Sequence, residues 1–365
     1  MTACTGLGVM PGSDVPAAAD IIGSESAGVV HRPIQPARGL GADPVGRTCA
    51  MLVDLPVDRG PRSWRVSASA PAEHFSRAAI RARDVLAAEA DGCEAVWGTN
   101  PAVVRLPVVG PWTLACAVEL ANGHRLLSDA GAVRYLAQSL AAGVQEVAAD
   151  IARRHAAEVV VQLDEPQLAR VSSNQVADAA HRPVLGSGGW RESAAILREV
   201  TSVLADAGIA TTIRPGQPPT VLQQVPAPDP DAGSGPAPIL PAKVIADSGV
   251  SALWVQAGEL VGTEVLDAVG GLYSEGVDLE VGVVPPQPVS SDPTTGAWEV
   301  PDERVFARRL ARIWDELGLP RTDLVDRVTI TPQAGFARAD DQYVAAALAA
   351  TRRTAELIGR AAGDL

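Results

Sequence analysis

The stretch Val159-Val160-Val161-Gln162-Leu163-Asp164-Glu165-Pro166 decides how this chain is read. Its apolar residues run continuously instead of alternating with polar ones, the pattern of a strand covered on both faces in the wall of a parallel sheet. Two adjacent carboxylates end the run and a proline stops it. A carboxylate fixed where such a strand ends can hold a ligand's ammonium or act as acid or base. The plainer reading is a strand-terminating turn in which backbone N–H groups satisfy Asp164.

Working outward, the chain alternates short β-branched runs with Ala/Leu/Arg-rich stretches, the signature of βα units. Strands are expected at Cys4–Val9, Ala50–Leu55, Val103–Val109, Glu158–Leu163, Ile209–Ile213, Ala252–Val255, Leu279–Val284 and Arg327–Ile330. Helices are expected at Ala132–His155, Glu192–Ala207, Val305–Leu317 and Gln342–Ala362, where apolar residues recur at helical spacing. Eight such strands in 365 residues, 47% of them hydrophobic, predict an α/β fold: one (β/α)8 TIM barrel spanning 1–365. The Pro/Gly/Ala/Asp-rich stretch 226–241 reads as a flexible insertion after the fifth strand, and 285–295 as a second loop after the seventh. In a barrel both fall on the C-terminal face, where working groups gather.

The net charge of −13 argues against nucleic acid or an anionic membrane surface as partner. Cys4, Cys49, Cys93 and Cys116 show no metal-ligand spacing and read as reduced, mostly buried thiols. No secretory signal is visible and no run is long and apolar enough to span a membrane, so a cytoplasmic protein is expected.

Three further strand ends carry readable strings. Thr5-Gly6-Leu7-Gly8-Val9-Met10-Pro11-Gly12 offers Gly8 for close backbone approach to a ligand, or an ordinary turn. Gly110-Pro111-Trp112-Thr113-Leu114 leads from a strand into a helix. Thr329-Ile330-Thr331-Pro332-Gln333-Ala334-Gly335-Phe336 closes the last strand with a Pro/Gly turn.

In order and spacing, these strings resemble the cobalamin-independent methionine synthase family, which reads Ile-Gly-Ser, Gly-Pro-x-Thr, Asp-Glu-Pro and Pro-x-Cys-Gly along its catalytic barrel. The resemblance is closest to short, single-barrel actinobacterial members. The segment Pro36-Ala37-Arg38-Gly39-Leu40-Gly41-Ala42-Asp43 with Gly46-Arg47, and Asn122-Gly123 after the second string, extend it. It spans nearly the whole chain but one barrel only, where the family's full-length members carry two. The family moves a methyl group from a 5-methyltetrahydrofolate to homocysteine, and a zinc ion turns the thiol into a thiolate.

The resemblance implies that Asp164 holds an amino group and that Glu165, Gly110, Thr113 and Gly8 belong to a substrate site, with Val9 where the family has serine. It also places the zinc ligands, and here the sequence departs. The His-x-Cys pair falls on Arg214 and Gly216, the acidic ligand on Gln256 and the last cysteine on Ala334. After His181 and Cys116 the chain has no histidine or cysteine at all, and Pro285-Pro286-Gln287-Pro288 stands where a catalytic histidine is expected. Zinc sites need Cys, His or carboxylate ligands in tight geometry. No metal and no other cofactor is therefore expected. Arg214, at a strand end, is instead a candidate for a ligand's carboxylate. Three readings stay open: an impaired or repurposed barrel binding an amino acid, a folate or a protein; an active methyltransferase by an altered route; and a porphyrin-decarboxylase-like barrel working with Arg and Asp.

Overall fold

A computed structural model describes residues 2–67, 76–176, 189–216, 221–223, 239–289, 300 and 302–363. Eight parallel strands form the wall: β1 (Ala3–Cys4), β2 (Val29–His31), β3 (Val103–Val109), β4 (Glu158–Asp164), β5 (Ala210–Arg214), β6 (Ala252–Gln256), β7 (Asp278–Val284) and β8 (Val328–Pro332). Neighbours pair in the order β1-β8-β7-β6-β5-β4-β3-β2. The seam between β1 and β2 is closed just beyond the strands, where Met10 donates to the Ile34 carbonyl at 2.9 Å and Ile34 to that of Gly8 at 2.8 Å. The fold is thus the expected (β/α)8 barrel, with helices packed around it.

Seven of the eight expected strands overlap observed ones; the second does not. Ala50 and Met51 end a helix, Pro44–Met51, and the wall strand is Val29–His31. The reason is local. Asp43 accepts from the Val45 and Gly46 N–H groups at 3.1 and 3.0 Å, and Pro44 presets the first helical φ, so the helix is nucleated and runs on into the apolar stretch. Gly143 on the long helix Ala130–His155 lets that helix touch the end of this one: a Cβ there would lie 1.8 Å from the Met51 carbonyl oxygen. The true strand is only three residues long and too short to register as a run.

The first wall connection is tied down by charge. Arg32 and Arg47, each about 1% exposed, flank Glu89 on helix Arg77–Trp97, with contacts of 2.8 and 2.7 Å. Of the expected insertion at 226–241, residues 239–241 form a short strand parallel to Val221–Gln223. Residues 226–238 lie outside the described residues, as do 290–295 of the second loop. Among the described residues no helix is long and apolar enough to cross a membrane.

Candidate functional site at the barrel mouth

A strand alternates its side chains between faces, so Gln162 and Asp164 on β4 point one way, as do Thr212 and Arg214 on β5. In this barrel that way is inward. TIM-barrel interiors are usually filled by branched apolar side chains. Here the filling is ionic. Arg105 on β3 makes a two-pronged pair with Glu280 on β7, through Nη1 to Oε2 at 2.7 Å and through Nη2 to Oε1. Thr212 donates to the same Glu280 at 2.9 Å. Arg105 Nη1 also reaches Gln162 Oε1 at 3.1 Å, and Gln162 Nε2 donates to Asp164 Oδ1 at 2.8 Å. Asp164 Oδ1 then takes a second bond, from Arg214 Nε at 2.7 Å. A connected polar chain thus climbs from Glu280 to the strand ends.

Asp164 and Arg214 are register partners at the C-terminal ends of β4 and β5. Their side chains are 8% and 16% exposed. Arg214 lies 5.9 Å from the centroid of the Trp254 ring on β6, within cation–π range. Trp254 is held by its indole N–H to Thr331 Oγ1 at 2.9 Å, and Gly282 on β7 makes room for it: a Cβ there would sit 2.8 Å from the ring. Burial works against the charge on Arg214, but the Asp164 carboxylate outweighs it and holds the guanidinium pKa above its ordinary value.

Glu165 has a different occupation. It is fully buried and accepts from the backbone N–H groups of Trp112 and Thr113, at 2.9 and 2.8 Å, and from Thr113 Oγ1 at 2.6 Å. It therefore caps helix Pro111–Ala117, whose own cap position, Gly110, has no side chain to offer. Gly110 is required there, since a Cβ would lie 2.4 Å from Glu165 Oε1. Its N–H donates to the Asp164 carbonyl at 2.9 Å. Removal from water pushes the Glu165 carboxyl up to about 7 despite its three donors. The Asp-Glu-Pro and Gly-Pro-x-Thr strings thus interlock: Glu165 and Thr113 join the two strand ends and Asp164 is left facing inward.

Gly8, at φ +99°, packs against Pro107, where a Cβ would sit 2.6 Å from the ring. The carbonyl of its neighbour Leu7 receives Gln162 Nε2 at 3.3 Å, which brings the first string to the same network. Gly216, at φ +110°, lies against Pro166. Val9 meets Gly335, and the Phe336 N–H donates to the Val9 carbonyl at 2.8 Å, so the first and last strings are also neighbours.

The residues present do not fit a zinc ion. Of the positions where the resemblance puts ligands, Gly216 and Ala334 offer no side-chain donor atom. Gln256 carries a neutral amide, and Arg214 brings a positive charge already paired with Asp164. Among the described residues no three His, Cys, Asp or Glu side chains gather as a metal site.

Sequence reading missed Arg105, Gln162, Thr212, Trp254 and Glu280. The signal was present on two strands in the two-residue period, where Gln162 and Thr212 stand two places before Asp164 and Arg214, and on two others as a charged residue, Arg105 or Glu280, inside an apolar run.

No protein-family model matches the chain, and no curated protein matches it in sequence. Among solved structures, it is similar to a B12-independent methionine synthase from Shewanella sp. W3-18-1 in complex with selenomethionine. The identity is 12% and the TM-score 0.50, over 83% of this chain and 72% of that one. A methyltransferase from Methanosarcina mazei is similar at 12% identity and a TM-score of 0.47, over 96% of this chain and 94% of that one. A xylose isomerase-like TIM barrel protein from Mycobacterium smegmatis in complex with magnesium is similar at 12% identity and a TM-score of 0.35. At such identity the first likeness shows the barrel fold alone.

Proposed function

We propose that this chain is a methionine-synthase-like barrel that has left the zinc route and holds a small molecule, of the amino-acid or folate kind, at its mouth, where Asp164 and Arg214 pair. The observation that carries the reading is the 2.7 Å contact between Arg214 and Asp164 at the ends of β4 and β5. The resemblance puts a metal ligand at position 214. A guanidinium cannot ligate zinc, and its positive charge repels a cation beside it. A thiol substrate bound there would keep a pKa of roughly 8–9 and be only a few per cent thiolate at neutral pH. The family's way of activating homocysteine is thereby removed, along with the metal's positioning of the sulfur.

What is kept supports binding. Asp164, Gly110, Thr113 and Glu165 form one interlocked unit, and polar side chains brace it from below. The net charge of −13 argues against nucleic acid or an anionic membrane surface as partner. The test is ligand-observed NMR with a panel of amino acids and folates, on the native chain and on the charge-neutral double variant D164N/R214Q. Saturable binding that the double variant abolishes is expected. Binding unchanged in that variant removes the mouth from the site.

A further inference from the structure

At the mouth the anion Asp164 pairs with the cation Arg214, and the two are not equally occupied. Asp164 Oδ1 takes two bonds, from Gln162 Nε2 and Arg214 Nε, at 2.8 and 2.7 Å. Its negative charge is therefore already matched inside the protein. Among the described residues Arg214 donates only through Nε, and its two terminal nitrogens have no hydrogen-bond partner there. A guanidinium carries four of its five N–H groups on those nitrogens, in a planar fork. Beneath, Arg105 and Glu280 neutralise each other, so that pair adds no net charge under the mouth to attract a cation. The ring of Trp254 lies to one side of the guanidinium carbon, within cation–π range.

We propose that the mouth recognises a carboxylate and not an ammonium: Arg214 is the binding group and Asp164 its internal counterion. This rests on the reading of the mouth as a small-molecule site and names the ligand group that the site takes. An incoming ammonium must displace Arg214 from Asp164 or sit beside a like charge, and both cost energy in a mostly buried setting. An incoming carboxylate meets unused donors in the geometry that suits two parallel N–H···O bonds. Asp164 then acts as a positioning residue, fixing the guanidinium through Nε while the terminal nitrogens face the ligand. The chemical class is a small carboxylic acid, with any amino group on it unrecognised by Asp164.

The experiment separates the two charges with probes that carry one each. Succinate and n-butylamine are titrated against the native chain, R214Q, D164N and D164N/R214Q, with near-UV circular dichroism confirming the fold of each. R214Q leaves the buried Asp164 carboxylate without its counterion, so the neutral double variant guards against a folding failure. Succinate is expected to bind the native chain, to bind D164N at least as well, and to lose about tenfold or more in affinity in both variants that lack Arg214. Butylamine is expected not to bind. Butylamine binding that D164N abolishes, or succinate binding indifferent to Arg214, overturns the proposal. If amino acids or folates bind at the mouth and succinate ignores Arg214, the broader reading stands and this inference falls. If none of these probes binds, both fall together.

Discussion

Replacing Arg105 with methionine tests whether the barrel interior is held by charge. Arg105 and Glu280 are both 3% exposed, and the pair bridges β3 and β7 across the barrel. Without Arg105, Glu280 keeps only the 2.9 Å bond from Thr212, and Gln162 Oε1 loses its donor. A buried carboxylate stripped of its partner costs about 3–5 kcal/mol, because the desolvation penalty stays while the attraction goes. R105M is therefore expected to lose about that much stability in urea unfolding, with a slope unchanged from the native chain. E280M should lose a comparable amount by stranding Arg105. The double variant R105M/E280M carries no stranded charge and should recover most of the loss, giving a coupling energy of roughly 2 kcal/mol or more between the sites. If each single variant costs less than about 1 kcal/mol and the two add, the pair is not the organising contact of the interior and the argument fails.

Two further outcomes are expected. Because the folded Glu165 carboxyl is raised to about 7, its contribution to stability is fully present below its unfolded pKa, near 4.5, and is lost as pH rises through about 7. The native chain should lose on the order of 3 kcal/mol across that window from this group, and E165Q should flatten the decline in a pH series of denaturation midpoints. Gly143→Ala drives a Cβ to within 1.8 Å of the Met51 carbonyl oxygen, between two backbones, so it should cost at least ~1–3 kcal/mol by thermal melting, whereas Gly208→Ala, which meets nothing within 4 Å, should show only the smaller cost of its φ of +74°.

Much of the barrel was legible because its wall strands are long apolar runs. β3, β4 and β7 have seven residues each, and expectation and observation there differ by at most one residue at an end. What failed was short. Val29–His31 gives no periodicity to count, while Ala50–Leu55 looks β-like but is claimed by a helix that Asp43 and Pro44 start several residues earlier. Capping outweighed local apolar character, a contest that a window of residues does not show. At the mouth, the sequence marked Asp164 and Arg214 as strand-end residues, and the register sets them side by side. It could not show that they pair, nor that Glu165 turns away to cap Pro111–Ala117, because adjacent residues on a strand point to opposite faces and their partners come from elsewhere in the chain. The ionic interior was readable in principle: Arg105, Gln162 and Glu280 each interrupt an otherwise apolar run, and a buried charge in a wall strand needs a partner across the barrel.

The central claim, that this barrel has left the zinc route, is tested most directly by measuring methionine formation from homocysteine and a polyglutamylated 5-methyltetrahydrofolate, with and without added zinc. No zinc-dependent turnover above the uncatalysed background is expected, because Arg214, Gly216, Gln256 and Ala334 supply no thiolate, imidazole or carboxylate to hold the metal. Zinc-dependent turnover fast enough to restore growth of a methionine auxotroph would contradict the account.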